Sequence, residues 1–167
     1  MKKLLVLAFM LFAFTAGTFA QATASATGTA VIVAPIGISN DVDMSFGNIA
    51  VAGAGTVVLD PAGTRTTTGS ITLPAITGTV TDAQFTVTGN DTYTFAITLP
   101  STDYTITRVA GTETMNINTF TSNPSGTGTL TGGTATLNVG ATLNVAACQV
   151  SGTYNNATVF DITVNYN

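Results

Sequence analysis

Residues 158–167 read Thr-Val-Phe-Asp-Ile-Thr-Val-Asn-Tyr-Asn, and they alternate without a break along the end of the chain. Side chains of a β-strand point to opposite faces in turn, so one face of this stretch is apolar. That face carries Phe160, Ile162, Val164 and Tyr166. The pattern predicts a half-buried terminal strand. Such a strand either completes its own sheet or serves as an assembly strand that a partner protein grips.

Residues 93–99 alternate in the same way, with Tyr93, Phe95, Ile97 and Leu99 on one face. Turn residues separate the apolar segments, and Asp60-Pro-Ala-Gly63 is the strongest of these signals. No segment repeats with the 3.6-residue period of a helix over a useful length. The spacing indicates about nine to eleven short strands. It predicts an all-β domain, a single immunoglobulin-like or jelly-roll-type β-sandwich of short antiparallel strands.

Several individual elements can be predicted with their boundaries. Residues 30–34 read as the first strand and residues 44–51 as a later one, with a bend or bulge at Gly47. Residues 52–55 read as a loop. A bulge is expected between Ile117 and Phe120. The repeated Thr-Leu-Asn-Val at 136–139 and 142–145 reads as two short strands or as one strand with a bend.

Amino-acid composition favours the same fold class. Thr is the most frequent residue, and its β-branched side chain favours strands. Its hydroxyl forms hydrogen bonds with water on an exposed strand face. Only 7% of the residues are charged, so the Lys and Glu that usually cover exposed helix faces are nearly absent. A helical domain of this composition would be hard to keep in solution.

The N-terminus has the organisation of a signal peptide over residues 1–20. Lys2 and Lys3 precede an apolar run, and Thr18-Phe-Ala20 ends on small residues, so cleavage is expected before Gln21. The run is shorter than the roughly 20 residues of a membrane anchor, and no membrane span is expected after cleavage. We expect a small-residue leader over 21–29, a β-sandwich domain over 30–167, and an exported protein that is periplasmic, on the cell surface or extracellular.

Charge narrows the set of partners. After Gln21 the chain has two basic residues, Arg65 and Arg108, against eight acidic ones, a net charge of −6. Nucleic acids and anionic membrane surfaces both favour basic patches. The balance therefore argues against both as partners.

The side chains of most catalytic sites are missing from the sequence. The chain has no His, which excludes a Ser-His-Asp triad and imidazole metal ligands. Cys148 is the single cysteine and reads as a small buried hydrophobic residue, with intermolecular pairing as the alternative. Asp41 and Asp43 are two residues apart, but the remaining ligands of a Ca²⁺ loop are missing. We expect a protein that is not an enzyme, with no catalytic, cofactor-binding or metal-ligating residues and no cofactor.

Four features follow one another along the chain. They are the signal peptide, the small-residue leader, the step Met44-Ser-Phe-Gly47, and Ser151-Gly-Thr-Tyr154 before the alternating C-terminal strand. In this order the chain resembles an uncharacterised bacterial family of secreted Thr/Gly-rich domains, a domain of unknown function. That family is similar in turn to spore coat protein U and fimbrial subunit domains.

The resemblance implies an immunoglobulin-type sandwich that is exported by a periplasmic chaperone and an outer-membrane usher. In the relatives the alternating C-terminal strand carries a penultimate aromatic residue, and Tyr166 holds that place here. The leader at 22–28 lies where such subunits carry a donor strand. The chain departs from fimbrial relatives because it lacks their usual disulfide.

Two functions remain open from the sequence. The first is a secreted, non-enzymatic structural or adhesive protein, a fimbria-like surface subunit that self-associates through β-strand addition. The alternative is a carbohydrate- or ligand-binding β-sandwich module. That alternative predicts an exposed aromatic patch, and its candidates are Tyr93, Tyr104 and Tyr154.

Overall fold

The computed structural model describes residues 20–155 and 160–167. This part of the chain contains eleven β-strands and no helix. The strands are β1 (Gly37–Val42), β2 (Ala50–Leu59), β3 (Arg65–Thr72), β4 (Ala83–Thr88), β5 (Thr94–Thr98), β6 (Tyr104–Arg108), β7 (Thr114–Asn123), β8 (Thr127–Thr129), β9 (Thr134–Val145), β10 (Tyr154–Asn155) and β11 (Thr163–Tyr166). The chain divides into two units, one ending at Ile32 and a compact one spanning Val33–Asn167. All eleven strands belong to the second unit.

The large sheet is organised on β9, its longest strand. In the order β1-β4-β9-β7-β6-β10 every neighbouring pair is antiparallel. Along one edge of β9, residues 134–139 pair with β4 and residues 141–145 pair with β2, which continues into β3. Gly140 lies at the change of partner. A Cβ at Gly140 would overlap with the carbonyl of Leu59, so only glycine allows this junction.

The small sheet has the order β11-β5-β8 and is also antiparallel. It packs over one half of the large sheet. The two sheets curl toward a half-barrel and form an all-β structure of the β-sandwich class. The predicted fold class is therefore confirmed.

Two groups of buried side chains lie on the inner face of the large sheet. The first, the sandwich cluster, lies between the two sheets and contains Ala83, Phe85, Val87, Phe95, Leu130, Leu137, Val139 and Val164. The second, the groove cluster, lies over the other half of the large sheet and contains Phe46, Val57, Leu59, Ile71, Ile117, Ala141, Leu143 and Val145. β9 contributes to both clusters.

The structure confirms the predictions that depend on interactions within a few residues. In the turn at 60–63, the Asp60 carboxylate accepts hydrogen bonds from the backbone N–H groups of Ala62 and Thr64, at 2.9 and 2.8 Å. The predicted bulge in β7 is present as a register shift between Asn118 and Thr121. The two copies of Thr-Leu-Asn-Val form one strand, β9, which was one of the two predicted arrangements.

Other predicted boundaries are wrong. Residues 30–34 form no strand, and Val31 and Ile32 are 88% and 97% exposed. Residues 46–49 are not a strand, because Gly47 adopts φ = +64° and takes the chain out of the extended conformation. Residues 52–55 belong to β2 rather than to a loop. Strand propensity alone does not form a strand, since a strand needs an edge with which to pair.

The terminal strand is shorter than predicted, since β11 covers four residues. Thr158 and Val159 lie outside the described residues. Phe160 and Ile162 precede β11 and still pack against the sandwich cluster, as do Val164 and Tyr166. The predicted apolar face therefore exists over a longer stretch than the hydrogen-bonded strand.

Candidate functional site: an apolar groove

The groove cluster borders a cavity of about 1030 Å³ within the Val33–Asn167 unit. Its floor includes Ile117 from β7 and Leu143 and Val145 from β9. Strand β6 adds Tyr104 and Ile106 along one side. Successive inward positions of neighbouring strands thus produce a continuous apolar surface, as expected for the inner face of a sheet.

The groove is also lined by an irregular segment, residues 44–49. The Arg65 guanidinium donates hydrogen bonds to the carbonyl oxygens of Phe46 and Asn48. Ser45 and Thr81 exchange backbone hydrogen bonds of 2.8 and 3.0 Å. The segment is therefore held firmly although it is not a strand.

Aromatic rings form one wall of the groove. The rings of Tyr104 and Phe160 meet edge to face with centroids 5.8 Å apart, and Phe120 contacts Phe160 at 5.0 Å. Edge-to-face contacts of this kind stabilise aromatic pairs beyond the area that they bury. Phe160 thereby packs against two strands of the large sheet, β6 and β7.

Hydrogen bonds organise one end of the groove. Gln149 donates from Nε2 to the Tyr154 hydroxyl at 2.8 Å, and that hydroxyl donates to the carbonyl oxygen of Val150 at 2.6 Å. Both Gln149 and Tyr154 line the cavity. This end of the groove is therefore polar.

The electrostatic character of the groove is weakly acidic. Among the lining residues that the structure describes, the charged side chains are Asp43 and Asp161. Burial raises the pKa of Tyr104, and the nearby Asp161 carboxylate raises it further. An apolar surface bordered by carboxylates suits an uncharged or weakly basic occupant better than an acidic one.

The four residues of the predicted assembly strand separate into two pairs. Phe160 and Ile162 line the groove, whereas Val164 and Tyr166 belong to β11, which pairs with β5. The Tyr166 hydroxyl accepts a hydrogen bond from the Asn90 N–H at 2.7 Å and donates one to the Ala34 carbonyl at 2.9 Å. The last residues of the chain thus complete their own sheet, and the residues before them form part of the groove wall.

The tyrosines singled out from the sequence also separate. Tyr104 and Tyr154 line the groove. Tyr93 lies elsewhere and contacts Tyr166, with ring centroids 5.5 Å apart. Two of the three candidate tyrosines are therefore brought to one site.

Cys148 does not lie where the sequence predicted. It is exposed rather than buried, with φ = +59°, in a turn that follows the end of β9. The apolar residues before it continue the strand pattern only as far as Val145, where the strand ends. The expectation that Cys148 is a core residue is wrong for that reason.

The two aspartates considered for metal binding are also placed. Asp41 lies in β1, and its Oδ2 accepts a hydrogen bond of 2.6 Å from the Thr86 hydroxyl. Asp43 lies at the groove, and its backbone carbonyl accepts a hydrogen bond from the Thr81 hydroxyl. Within residues 20–155 and 160–167, no group of three or more His, Cys, Asp or Glu side chains is arranged to hold a metal ion.

Sequence reasoning did not find the groove. Met44 and Met115, which pack against its cluster, carry the clearest local signal, because flexible methionines are typical of irregular or adaptable apolar surfaces. The missing cover over this half of the sheet depends on how distant strands are ordered. No single stretch of sequence contains that information.

The fold and the groove together define a β-sandwich domain with an open apolar site on one half of its large sheet. Residues 36–166 match the family model described as DUF4402, a domain of unknown function, and the chain belongs to this family. Comparisons with curated proteins and with solved structures find no match. The described part of the chain contains no helix that is long and apolar enough to cross a membrane.

Proposed function

We propose that the chain is an exported, non-enzymatic structural subunit that assembles by β-strand addition. In this assembly an extended segment of a second copy occupies the groove. The observation that carries the proposal is the groove itself, a cavity of about 1030 Å³ beside the buried cluster that the small sheet does not cover. Exposed apolar surface of this kind is typical of interaction sites.

Sheet edges provide the second part of the argument. In the described part of the chain, β1 and β10 end the large sheet, β3 ends its branch through β2, and β11 and β8 end the small sheet. Each therefore has an edge whose backbone groups pair with no further strand. An added strand gains main-chain hydrogen bonds from such an edge, while its alternate side chains enter the apolar site and set the register.

The leader and the residues after it, 21–34, are the segment that we assign to the groove of a second copy. This segment has no charged residue, and its small side chains alternate before the run Ala30-Val-Ile-Val-Ala34. Val31 and Ile32 are almost fully exposed, which is unfavourable for β-branched apolar side chains in water. Insertion into the groove of another copy would remove both from solvent.

The resemblance to bacterial secreted domains, spore coat protein U and fimbrial subunits supports the same arrangement. Such subunits carry a donor strand before the sandwich and a penultimate aromatic residue at its end, the place of Tyr166 here. The resemblance also suggests export through a chaperone and an usher. Neighbouring genes for both proteins would favour that route.

Size-exclusion chromatography and negative-stain microscopy of the chain from Gln21 test the assembly. We expect concentration-dependent oligomers or fibres, and we expect Ile32→Asp to reduce them at least tenfold at equal concentration. Ile76→Asp is the matched control, because Ile76 is also exposed, at 80%, and lies between β3 and β4. A monomer that unfolds in one complete two-state transition, with or without Ile32→Asp, would contradict the proposal.

The groove also supports the alternative, a carbohydrate- or ligand-binding module. Its volume is close to the range of about 300–1000 Å³ that is typical of small-molecule sites. Tyr104 and Tyr154 in its lining would supply the aromatic contacts. Binding on a glycan array that is lost in Tyr104→Ala, by a chain that stays monomeric, would favour this function over assembly.

A further inference from the structure

A buried carboxylate lies away from the groove, at the start of β4. Asp82 is only 6% exposed, and its Oδ2 has no hydrogen-bond partner in the part of the chain that the structure describes. Its Oδ1 accepts a single long hydrogen bond, 3.5 Å, from Gln84 Nε2. The carboxylate is therefore almost unsatisfied by the protein.

A second buried oxygen on the same face of the sheet is unsatisfied as well. Asn138 Oδ1 has no hydrogen-bond partner among the described residues. Gln84 and Asn138 are directly opposite each other in the β4–β9 pair. Asp82 is two residues before Gln84, so its side chain is a diagonal neighbour of Asn138 on that face.

The turn at 60–63 contacts both side chains. The Asn138 Nδ2 group donates a hydrogen bond of 3.3 Å to the Pro61 carbonyl. A Cβ built on Gly63 would be 3.5 Å from Asp82 Oδ1. Gly140 makes the close approach of this turn possible, because a Cβ there would meet the backbone of residues 59–61.

The hydrogen bond to Pro61 also determines which atom of the Asn138 amide is left unpaired. Because Nδ2 is engaged with the turn, the amide presents its oxygen as an unpaired acceptor. Two buried acceptor oxygens, Asp82 Oδ2 and Asn138 Oδ1, therefore lie on one face with Gln84 beside them, and the Gln84 Nε2 donor reaches only Asp82 Oδ1. The two oxygens cannot satisfy one another, so a water molecule or a cation would supply the positively polarised partner.

Buried carboxylates in proteins are normally paired with a cation or coordinate a metal. The ion pair found among the described residues is Arg108–Glu113, which does not involve Asp82. The Arg65 guanidinium is hydrogen-bonded to the carbonyls of Phe46 and Asn48. We propose that Asp82 and Asn138 bind a hard divalent cation of the Ca²⁺ class beneath the turn at 60–63.

The oxygen ligands determine which class of cation we expect and how strongly it should bind. Ca²⁺ is bound by carboxylate and amide or backbone carbonyl oxygens at about 2.3–2.6 Å, and sites with few carboxylates bind it at about 10⁻⁴–10⁻³ M. One carboxylate and one amide oxygen place this site at the weak end of that range. The proposal is independent of the groove and of any assembly.

Thermal unfolding of the chain from Gln21, after treatment with a chelator, tests the site. We expect 10 mM CaCl₂ to raise Tm by about 3–6 °C relative to NaCl of equal ionic strength. Asp82→Asn should abolish this rise. Asp41→Asn, which removes an equal charge from an exposed residue of β1, should keep it.

A variant that is expected to bind Ca²⁺ more tightly tests the same site in the opposite direction. Asn138→Asp adds a second carboxylate of the same shape, so it should destabilise the chelator-treated protein and bind Ca²⁺ roughly tenfold tighter in isothermal titration calorimetry. This variant and the wild-type titration remain informative even where Asp82→Asn does not fold.

Three results would overturn the proposal. They are a Tm rise with CaCl₂ that NaCl reproduces, an equal response of Asp82→Asn and the wild type, and no heat of Ca²⁺ binding in either the wild type or Asn138→Asp. In each of these cases a buried water or a neutral hydrogen bond satisfies Asp82 and Asn138 instead.

Discussion

The sandwich cluster and the groove cluster are built on the same strand and have different covers. Leu137 and Val139 of β9 enter the first, and Leu143 and Val145 enter the second. The first is covered by the small sheet, whereas the second is bordered by residues 44–49 and a large cavity. Alternation along a strand thus produces an apolar face that is buried in both halves, by a second sheet over the sandwich cluster and by the curled large sheet and residues 44–49 around the groove cluster.

The difference between the two clusters indicates which part of this domain has room to bind another segment or molecule. A fully buried side chain of the sandwich cluster that does not line the cavity, such as Phe95 or Leu137, has neighbours on all sides, so its removal leaves a void in a packed interior. A side chain beside the groove already lacks neighbours on one side. Substitutions in the two clusters should therefore separate stability from binding.

The largest expected effect is that of Phe95→Ala. Phe95 is fully buried in the sandwich cluster, and a Cβ on Gly128 would overlap with its ring, so the site is tightly packed. We expect a loss of about 3–5 kcal/mol in the free energy of unfolding, measured with urea. Met115→Ala, beside the groove, should cost only about 1–2 kcal/mol because Met115 is partly exposed. Equal losses would show that the two clusters are equally closed.

A smaller effect is expected for Tyr166→Phe at the end of β11. The change keeps the ring and removes the hydroxyl that joins Asn90 to Ala34. Loss of these hydrogen bonds should cost about 1–2 kcal/mol, seen as a lower Tm in calorimetry. Tyr93→Phe, which preserves the ring contact with Tyr166, is the control. An unchanged Tm in Tyr166→Phe would mean that β5 alone holds the terminal strand.

The smallest effect concerns pH and the hairpin of β6 and β7 beside the groove. The Arg108 Nε group donates a hydrogen bond of 2.6 Å to Glu113 Oε2, and this bond lowers the pKa of Glu113 from 4.5 to about 2. A carboxylate with a lowered pKa stabilises the folded chain above its unfolded pKa and loses this contribution as the pH falls. The wild type should therefore lose stability between about pH 4.5 and pH 2.

Urea midpoints at several pH values would measure this loss, with Glu113→Gln as the comparison. The difference between the two proteins should shrink as the pH falls through that window. The effect should be small because both side chains are partly exposed to solvent. A difference that stays constant from pH 6 to pH 2 would show that the pair does not contribute through its charge.

Local patterns predicted the parts of the fold that local chemistry controls. The turn at 60–63 was predicted from Asp60, Pro61 and Gly63, since each favours the observed backbone by itself. The apolar face of Phe160, Ile162, Val164 and Tyr166 was also predicted correctly. The separation of these residues into two groove-lining residues and two strand residues was not predicted, because it depends on where β5 ends as a partner.

The predictions for residues 30–34 and 52–55 were wrong because they relied on local preference. The first are rich in β-branched residues and form no strand, whereas the second are all Ala and Gly and lie inside β2. Pairing of the flanking residues with β3, and of Gly55 also with β9, outweighs the intrinsic preference of residues 52–55. The sequence therefore predicted a strand where none forms and a loop where a strand forms, in both cases because strand pairing cannot be read from a few residues.

Threonine content, alternation and turn residues were enough to establish an antiparallel all-β sandwich, because each acts over a few neighbouring residues. The groove and the buried oxygens of Asp82 and Asn138 arise only in the tertiary structure. β9 exchanges one partner strand for another at Gly140, where the backbone of residues 59–61 approaches closely, and the small sheet covers only one of the two buried clusters. These consequences depend on the order of strands far apart in the chain, and local chemistry does not encode that order.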